Sequence, residues 1–187
     1  MSLKNKIISA LAGATLLGGG ITSVVKVNEG YSEKAYQDSA GVWTICYGET
    51  KGVKKGMWLS KSACNARLVQ SIGEHAEALV GLPESLPDVI VLGSIDMTYN
   101  VGVYGFKNST IKRKLMQGDY KGAGAAVLAW RYITLKDGTK YDCSQLVKGK
   151  PNRVCWGLWE RRQWQSKAIG YEYKTVQEAM DALLKIK

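Results

Sequence analysis

The longest uncharged stretch of the chain lies near its start. Residues 7–25 hold eight Ile, Leu or Val residues and eleven Gly, Ala, Ser or Thr residues. A helix of this length, at about 1.5 Å per residue, crosses the roughly 30 Å core of a bilayer. Four interpretations follow: a cleaved signal peptide, a stable anchor, a signal-anchor that later escapes from the membrane, and a soluble helix packed in a core.

Two features favour the escaping signal-anchor. The many small residues of this stretch give it less lipid affinity than a permanent anchor has. Lys4 and Lys6 precede it, and lysines beside an apolar segment stay on the cytoplasmic side. We therefore expect a cytoplasmic N-terminus, with the rest of the chain outside.

Beyond residue 25 the apolar spacing predicts one short β region followed by helices. The stretch from Tyr36 to Tyr47 is rich in Tyr, Thr, Val, Ile and Trp and is broken by Gly41, which indicates short twisted strands. A helical pattern then begins at Ser60, a suitable N-cap. It ends at residues 81–83, where the sequence reads Gly-Leu-Pro.

The last hundred residues read as a helical region with one hairpin. A helix starts near Pro87, a Gly-rich turn is expected over 100–110, and Ser109 or Thr110 caps the next helix. Asp137-Gly138 marks a hairpin turn. Further helices are predicted over 119–130, 157–170 and 175–187.

These elements predict an α+β, mostly helical fold with two lobes. A small β-containing lobe covers about 27–59, a long linking helix about 60–80, and a helical lobe about 81–187, with 1–26 as a separate export segment. A cleft between two lobes is a natural site for a polymer.

Composition adds an expected class of partner. Lys and Arg total 26 against 16 Asp and Glu, a net charge of +10, which favours an anionic partner. The basic residues form no stripe, and export is indicated, so nucleic acid is not expected. The six Trp and ten Tyr suit a wet, sugar-binding cleft.

Four cysteines allow three pairings. Local pairing would join Cys46 to Cys64 and Cys143 to Cys155, and would imply an oxidising compartment. The alternative is four buried free thiols in a cytosolic protein. No CxxC motif occurs and His75 is the sole histidine, so we expect no metal site and no cofactor.

Two carboxylates are candidates for acid–base chemistry. Glu29 follows apolar residues and Asp38 lies nine residues later, with Thr44 six residues beyond it. Breaking a glycosidic bond needs one carboxyl that stays protonated in a sheltered place and a second, ionised one that handles water. Spacing alone does not establish such a pair.

A longer pattern surrounds these residues. Glu29-Gly30, then Asp38, then Thr44 and Gly48 resembles the active-site signature of the phage-type lysozymes, glycoside hydrolase family 24. Motifs of the second lobe resemble the family in the same order: 100–102, 105–106, 108–110, 130, 151–153, 157–158 and 161–162.

The resemblance implies roles for several residues. It makes Glu29 the general acid, and Asp38 and Thr44 the residues that position or activate the attacking water. It also implies a two-lobed lysozyme-like fold, with 27–187 as the catalytic domain. The substrate implied is peptidoglycan, cut between N-acetylmuramic acid and N-acetylglucosamine. The residues matching the family's saccharide cleft are Thr50, Tyr99 and Ser109.

The N-terminal stretch is similar to that of a subgroup, the signal-anchor-release endolysins of phages. Such enzymes are exported tethered to the host inner membrane, inactive, and are then released to the periplasm. The resemblance implies this course for residues 7–25 and a monomeric enzyme. The stretch has no Cys, so the thiol switch of some relatives is not expected.

Glu49 departs from the pattern, because many family members carry His there. Either it weakens substrate contact or shifts the pH response of the two catalytic carboxyls, or it is a solvent-facing carboxylate at the rim. A surface position is expected for His75. Two other activities also fit a basic, aromatic exported protein. A lytic transglycosylase needs only one carboxylate, and a non-catalytic peptidoglycan-binding protein needs none. The presence of Asp38 favours hydrolysis by water.

Overall fold

The computed structural model describes residues 2–13, 15–38 and 41–186. The predicted ranges 1–26, 7–25 and 175–187 therefore include Met1, Ala14 and Lys187, which lie outside the described residues. The helices are α1 (Leu3–Ala12), α2 (Leu16–Glu29), α3 (Lys61–His75), α4 (Asp88–Lys107), α5 (Thr110–Met116), α6 (Tyr120–Val127), α7 (Trp156–Ile169) and α8 (Val176–Leu184).

Short strands complete the fold in three antiparallel pairs within the described residues. They are β1 (Ser32–Gln37) with β2 (Trp43–Cys46), β3 (Tyr132–Thr134) with β4 (Lys140–Asp142), and β5 (Leu146–Val147) with β6 (Lys150–Pro151). The mostly helical two-lobed fold predicted from the sequence is confirmed.

The N-terminal segment is folded into the body of the protein. α1 and α2 pack against each other and α2 packs against α4 and α8. Both helices are capped by hydroxyls: Ser2 accepts from Asn5 N, and Thr15 accepts from Gly18 N. The apolar residues that this segment buries in the core are Leu3, Ile7, Ala10, Leu17, Ile21, Val24 and Val25.

Two stretches of the described chain have the length and apolarity of a membrane span. One is α4, with a mean hydropathy of 1.2, but 61% of its apolar window is buried, as in the core helix of a soluble protein. The other is α1 with α2, which are bent by 86° at the break between them.

The small lobe is built on the β1–β2 hairpin. Tyr36 pairs with Thr44 and Gln37 with Trp43. The following loop closes onto β1, because Ala35 N donates to Met57 O and Leu59 N donates to Glu33 O. α3 then begins where predicted: Ser60 is its N-cap and accepts from Ala63 N.

α4 is the central helix of the larger lobe. Its first half is buried without interruption from Val89 to Thr98, and it contacts α2, α3, α7 and α8. The Gly-rich turn predicted over 100–110 is wrong for most of its length, because α4 continues to Lys107 with a kink. Gly102 makes the kink at φ 79° and ψ 160°, a conformation open to glycine.

The segment between α6 and α7 forms the predicted hairpin and one more. Tyr132 pairs with Asp142 and Thr134 with Lys140 around the Asp137-Gly138 turn. The side-chain amide of Asn152 donates to the carbonyls of Cys143 and Gln145, at 2.8 and 3.0 Å, and holds the second hairpin against the first.

Candidate active site

Glu29 is the last residue of α2, and its side chain has Arg161 of α7 and the backbone at Gly48 as neighbours. Gly30 ends the helix with φ 73° and ψ −170°, which glycine adopts readily. The Glu29 side chain is 21% exposed, and its Oε1 lies 2.8 Å from Nη2 of Arg161 on α7. On its other side lies Gly48, where a Cβ would be 3.6 Å from Glu29 Oε2.

The surroundings of Glu29 act on its protonation in both directions. Burial raises the pKa of Glu29 above its ordinary value and is the largest influence, while the nearby Arg161 guanidinium opposes it. Asp96 raises the pKa further and His75 lowers it. The net direction is upward, so Glu29 keeps its proton more readily than an exposed glutamate.

Behind Arg161 lies a buried carboxylate that the sequence analysis missed. Asp96 on α4 is fully buried. Arg161 Nε donates to its Oδ2 at 3.1 Å and Arg161 Nη2 to its Oδ1 at 2.8 Å. Asn28 Nδ2 donates to Oδ1 at 3.0 Å and Gln165 Nε2 to Oδ2 at 2.7 Å. The sequence does contain an indication of this residue, because Asp96 is an acidic residue within the apolar run 89–97.

Arg162 fixes the far side of this network. Its Nη1 donates to Gln165 Oε1 at 2.6 Å and its Nε donates to Trp130 O at 2.9 Å, while Nη2 bonds Asn100 Oδ1. Burial lowers the pKa of Arg162 to about 10. Residues of α2, α4 and α7, with the carbonyl of Trp130, therefore meet around two guanidinium groups and one buried carboxylate.

Asp38 and Thr44 share the β1–β2 hairpin. Asp38 follows β1, and its Oδ1 accepts from Val42 N at 2.9 Å. Thr44, 4% exposed, lies in β2 and its hydroxyl donates to Val42 O at 3.1 Å. β2 ends at Cys46, two residues before Gly48, so the hairpin that holds Asp38 and Thr44 continues to the backbone beside Glu29.

A cavity of about 500 Å³ opens beside Gly48. Thr50 and Tyr99, which the resemblance assigns to the saccharide cleft, line this cavity together with residues of α3. Ser109 is not among its lining residues; it caps α5, donating to Phe106 O and accepting from Lys112 N. Residues that line the cavity include Gly48, Glu49, Thr50, Arg67, His75 and Tyr99.

Glu49 and His75 are partly exposed residues of the cavity wall, and each is held there by a contact with Tyr99. Tyr99 Oη donates to Glu49 Oε1 at 3.1 Å, and Tyr47 N donates to Glu49 Oε2 at 2.9 Å. The His75 ring stacks on Tyr99 with centroids 4.5 Å apart. Burial raises the pKa of Tyr99, so its hydroxyl stays a donor.

The four cysteines form the two local disulfides expected. Cys46 bonds Cys64 and ties the end of β2 to α3, while Cys143 bonds Cys155 and closes the double hairpin. Cys46 has φ 59°, a left-handed conformation that is costly for a residue with a side chain. Within the described residues, no group of three His, Cys, Asp or Glu side chains is arranged to hold a metal ion.

Comparisons with known proteins agree with this geometry. The family model for phage lysozyme matches residues 26–165. The chain is 33% identical over 186 residues to the SAR-endolysin of Escherichia phage N15, covering 92% of this chain and 98% of that protein. It is 33% identical over 135 residues to the SAR-endolysin of Enterobacteria phage P21, covering 64% of this chain and 79% of that protein.

Solved structures share the fold. The endolysin from Escherichia coli O157:H7 phage FAHEc1 superposes with a TM-score of 0.67 at 24% identity, over 80% of this chain and 90% of that one. The active form of the P1 phage endolysin Lyz superposes with a TM-score of 0.62 at 17% identity, over 89% of this chain and 92% of that one.

Proposed function

Because the chain belongs to the phage lysozyme family, we propose that it is a muramidase endolysin. It hydrolyses the glycosidic bond between N-acetylmuramic acid and N-acetylglucosamine in peptidoglycan and thereby lyses the host cell. The observation that carries this proposal is Glu29: a carboxyl at a helix end, mostly buried and held beside Arg161, whose pKa burial raises.

Glu29 acts as the general acid in this proposal. A glycosidic oxygen leaves as an alcohol only if it receives a proton, and a carboxyl that stays protonated near neutral pH supplies it. The partial burial of Glu29 supports this role, because burial disfavours the charged form of a carboxyl. Arg161 then stabilises the carboxylate that remains after the transfer.

Asp38 and Thr44 handle the attacking water. Asp38 lies at a hairpin turn, partly exposed, where its carboxyl oxygens can accept a proton from the attacking water. Thr44 stands in the neighbouring strand with a hydroxyl that helps to orient that water. Their support is the family motif and the continuity of β2 with Gly48, which contacts Glu29.

Sugar residues of the glycan lie in the cavity beside Gly48. Tyr99 offers an aromatic face to a pyranose ring, and Thr50 offers a hydroxyl at the rim. Ser109 is proposed as a more distant contact, through its position at the start of α5. We expect no cofactor, no nucleic-acid partner and a monomeric enzyme.

Residues 7–25 hold the enzyme at the host inner membrane before lysis, with the N-terminus cytoplasmic and residues 27–187 in the periplasm. Release to the periplasm then lets this segment fold as α1 and α2. Support comes from the dual character of the segment: it is long enough to span a bilayer, yet α2 ends at Glu29 itself. The tethered enzyme is therefore inactive, because the helix that presents the general acid is still in the lipid.

The deciding experiment is digestion of purified peptidoglycan by wild type and Glu29→Gln. An amide cannot donate the proton, so we expect the variant to lose at least about 10²-fold in rate while its circular dichroism is unchanged. New reducing ends at N-acetylmuramic acid in the wild-type digest indicate hydrolysis. Non-reducing anhydro ends would instead identify a lytic transglycosylase, and lysis by Glu29→Gln at a near-native rate would refute the acid assignment.

A further inference from the structure

The Asp96 carboxylate is fully buried and has no access to the cavity where substrate would lie. Buried carboxylates are expensive unless charges and hydrogen bonds compensate them. Asp96 has four donors on its two oxygens: Arg161 Nε, Arg161 Nη2, Asn28 Nδ2 and Gln165 Nε2. The same Nη2 of Arg161 also lies 2.8 Å from Glu29 Oε1. One guanidinium thus stands between two carboxyls.

We propose that Asp96 is a positioning residue for Glu29: it fixes the Arg161 guanidinium and neutralises it, so that Glu29 retains the proton that it donates. This inference rests on the proposed role of Glu29 as general acid. Arg161 makes a two-point contact with Asp96 and only a one-atom contact with Glu29. The cation is therefore matched chiefly by Asp96, and Glu29 faces a guanidinium whose charge is already compensated.

The net charge of Asp96, Arg161 and Glu29 depends on whether Glu29 keeps its proton. With Asp96 ionised and Glu29 protonated, the three groups sum to zero, which a buried site favours. With both carboxyls ionised they sum to −1. If Asp96 were neutral, ionising Glu29 would bring the sum from +1 to zero, so the proton would leave Glu29 more easily. Asp96 acts in this way through Arg161 and through its own charge.

Other ionisable groups also face Glu29, and they are the same in every variant below. The variants must therefore be compared with each other and not with an absolute value. The groups besides Asp96, from the elements packed around Glu29, are Arg161 of α7, Tyr99 of α4 and His75 of α3.

The test is the pH profile of kcat/KM on purified peptidoglycan for Asp96→Asn. The alkaline limb of the wild-type profile reports loss of the acid's proton. We expect the limb to move to lower pH by about one unit, which is a roughly tenfold loss above it and little loss below it. A matched control is Asp88→Asn, at the other end of α4 and 49% exposed, which should leave the limb in place.

A charge-restoring variant separates electrostatics from packing. Gln165 Nε2 donates to Asp96 Oδ2 at 2.7 Å, and Gln165 Oε1 accepts from Arg162. In Asp96→Asn with Gln165→Glu, the carboxylate moves to the other end of that hydrogen bond, where residue 165 already accepts from Arg162. We expect the alkaline limb to return to within about half a unit of wild type, because the charge count is restored.

Each outcome decides the matter. An acid shift that the double variant reverses supports the proposal; an unchanged limb, an equal loss at every pH, or a shift that the double variant leaves in place overturns it. Asp96→Ser removes the same charge without an amide facing Gln165, and replaces Asp96→Asn if that variant does not fold. The proposed function fails separately, on activity retained by Glu29→Gln.

Discussion

Glu29 carries a carboxyl whose neighbours pull its protonation in opposite directions. Burial and Asp96 favour the proton, while Arg161 and His75 favour its loss. Because these influences oppose each other, the loss of any one of them changes how readily Glu29 gives up its proton. Glu49 and His75 join the same site from the cavity wall, through Tyr99. Glu49 therefore occupies the position where many family members carry His, and the chain's single histidine, His75, lines the same cavity.

We expect Glu29→Gln to raise the melting temperature at neutral pH. Because the folded protein has the raised pKa for Glu29, it binds this proton more tightly than the unfolded chain does. The stability linked to that proton is fully present below the unfolded pKa and is lost as the pH rises through the folded pKa. Glutamine does not ionise, so the variant's advantage should grow over this window, by about 2–4 °C for each kcal/mol.

Glu77→Gln is the control with the opposite sign. Lys4 bonds Glu77 and lowers its pKa, so its contribution is present above the unfolded pKa and is lost as the pH falls through the folded pKa. Scanning calorimetry from acid to neutral pH should show this variant losing stability only at the higher pH values. A Glu29→Gln advantage that does not change with pH would contradict the assignment of a raised pKa.

The elements around the site are held by two covalent links of different consequence. Cys46–Cys64 fixes the loop from β2 to Gly48 against α3, next to Glu29. Cys143–Cys155 closes the double hairpin, and no residue between its cysteines contacts Glu29 or lines the cavity among those described. The first link therefore bears on the site's geometry and the second on a peripheral segment.

We expect both cysteine pairs to matter for stability but only one for catalysis. Replacing either pair by serines should cost about 3 kcal/mol, the loop-closure value for sequence separations of 18 and 12 residues. At a temperature where both variants remain folded, Cys46→Ser with Cys64→Ser should lose activity at least about tenfold, on the scale of a misplaced catalytic group. Cys143→Ser with Cys155→Ser should stay near wild type. Equal activity of the two folded variants would contradict the distinction.

For the protein as a whole, the N-terminal segment cannot span the membrane and pack in the folded core at the same time. The folded protein buries six of its large apolar side chains, which is worth on the order of 10 kcal/mol by area. That is comparable with the total stability of a typical domain, about 5–15 kcal/mol. A chain whose segment remains in the membrane lacks this contribution to its core.

Substitutions at three neighbouring glycines can distinguish the segment's binding to the membrane from its packing in the folded protein. A Cβ on Gly18 would lie 2.1 Å from Ala10 O, and one on Gly20 would lie 2.6 Å from Val176 Cγ1, whereas one on Gly19 meets nothing within 4 Å. Leucine at any of the three positions adds lipid affinity. Only at Gly18 and Gly20 does it also collide with the folded protein.

We therefore expect Gly19→Leu to delay release from the membrane while leaving the freed enzyme fully active. Gly20→Leu should delay release similarly, and its freed form should be destabilised by about 1–3 kcal/mol through overpacking. The measurement is cell fractionation before and after an uncoupler, with activity and melting temperature of each soluble pool. Full activity in the membrane fraction, or a shortened N-terminus on the soluble enzyme, would refute release of an intact tether.

Local features of this chain follow from the sequence alone. The caps at Ser60 and Ser109, the hairpin turn at Asp137-Gly138 and the two cysteine pairs each depend on residues close along the chain. The physical reason is that a cap or a tight turn is made within a few residues. The candidate residues Glu29, Asp38 and Thr44 are also proposed from the sequence, because the family motif that contains them is compact.

Tertiary structure alone decided which distant groups surround Glu29. Asp96 and Arg161 are 65 residues apart in the chain, and no periodicity joins an acidic residue in a buried helix to an arginine in another. The packing of α1 and α2 into the core was one of four interpretations that their composition left open, because a small-residue apolar helix suits lipid and protein interior alike. The helix lies in the protein interior because α4 and α8 provide the surface against which α2 packs.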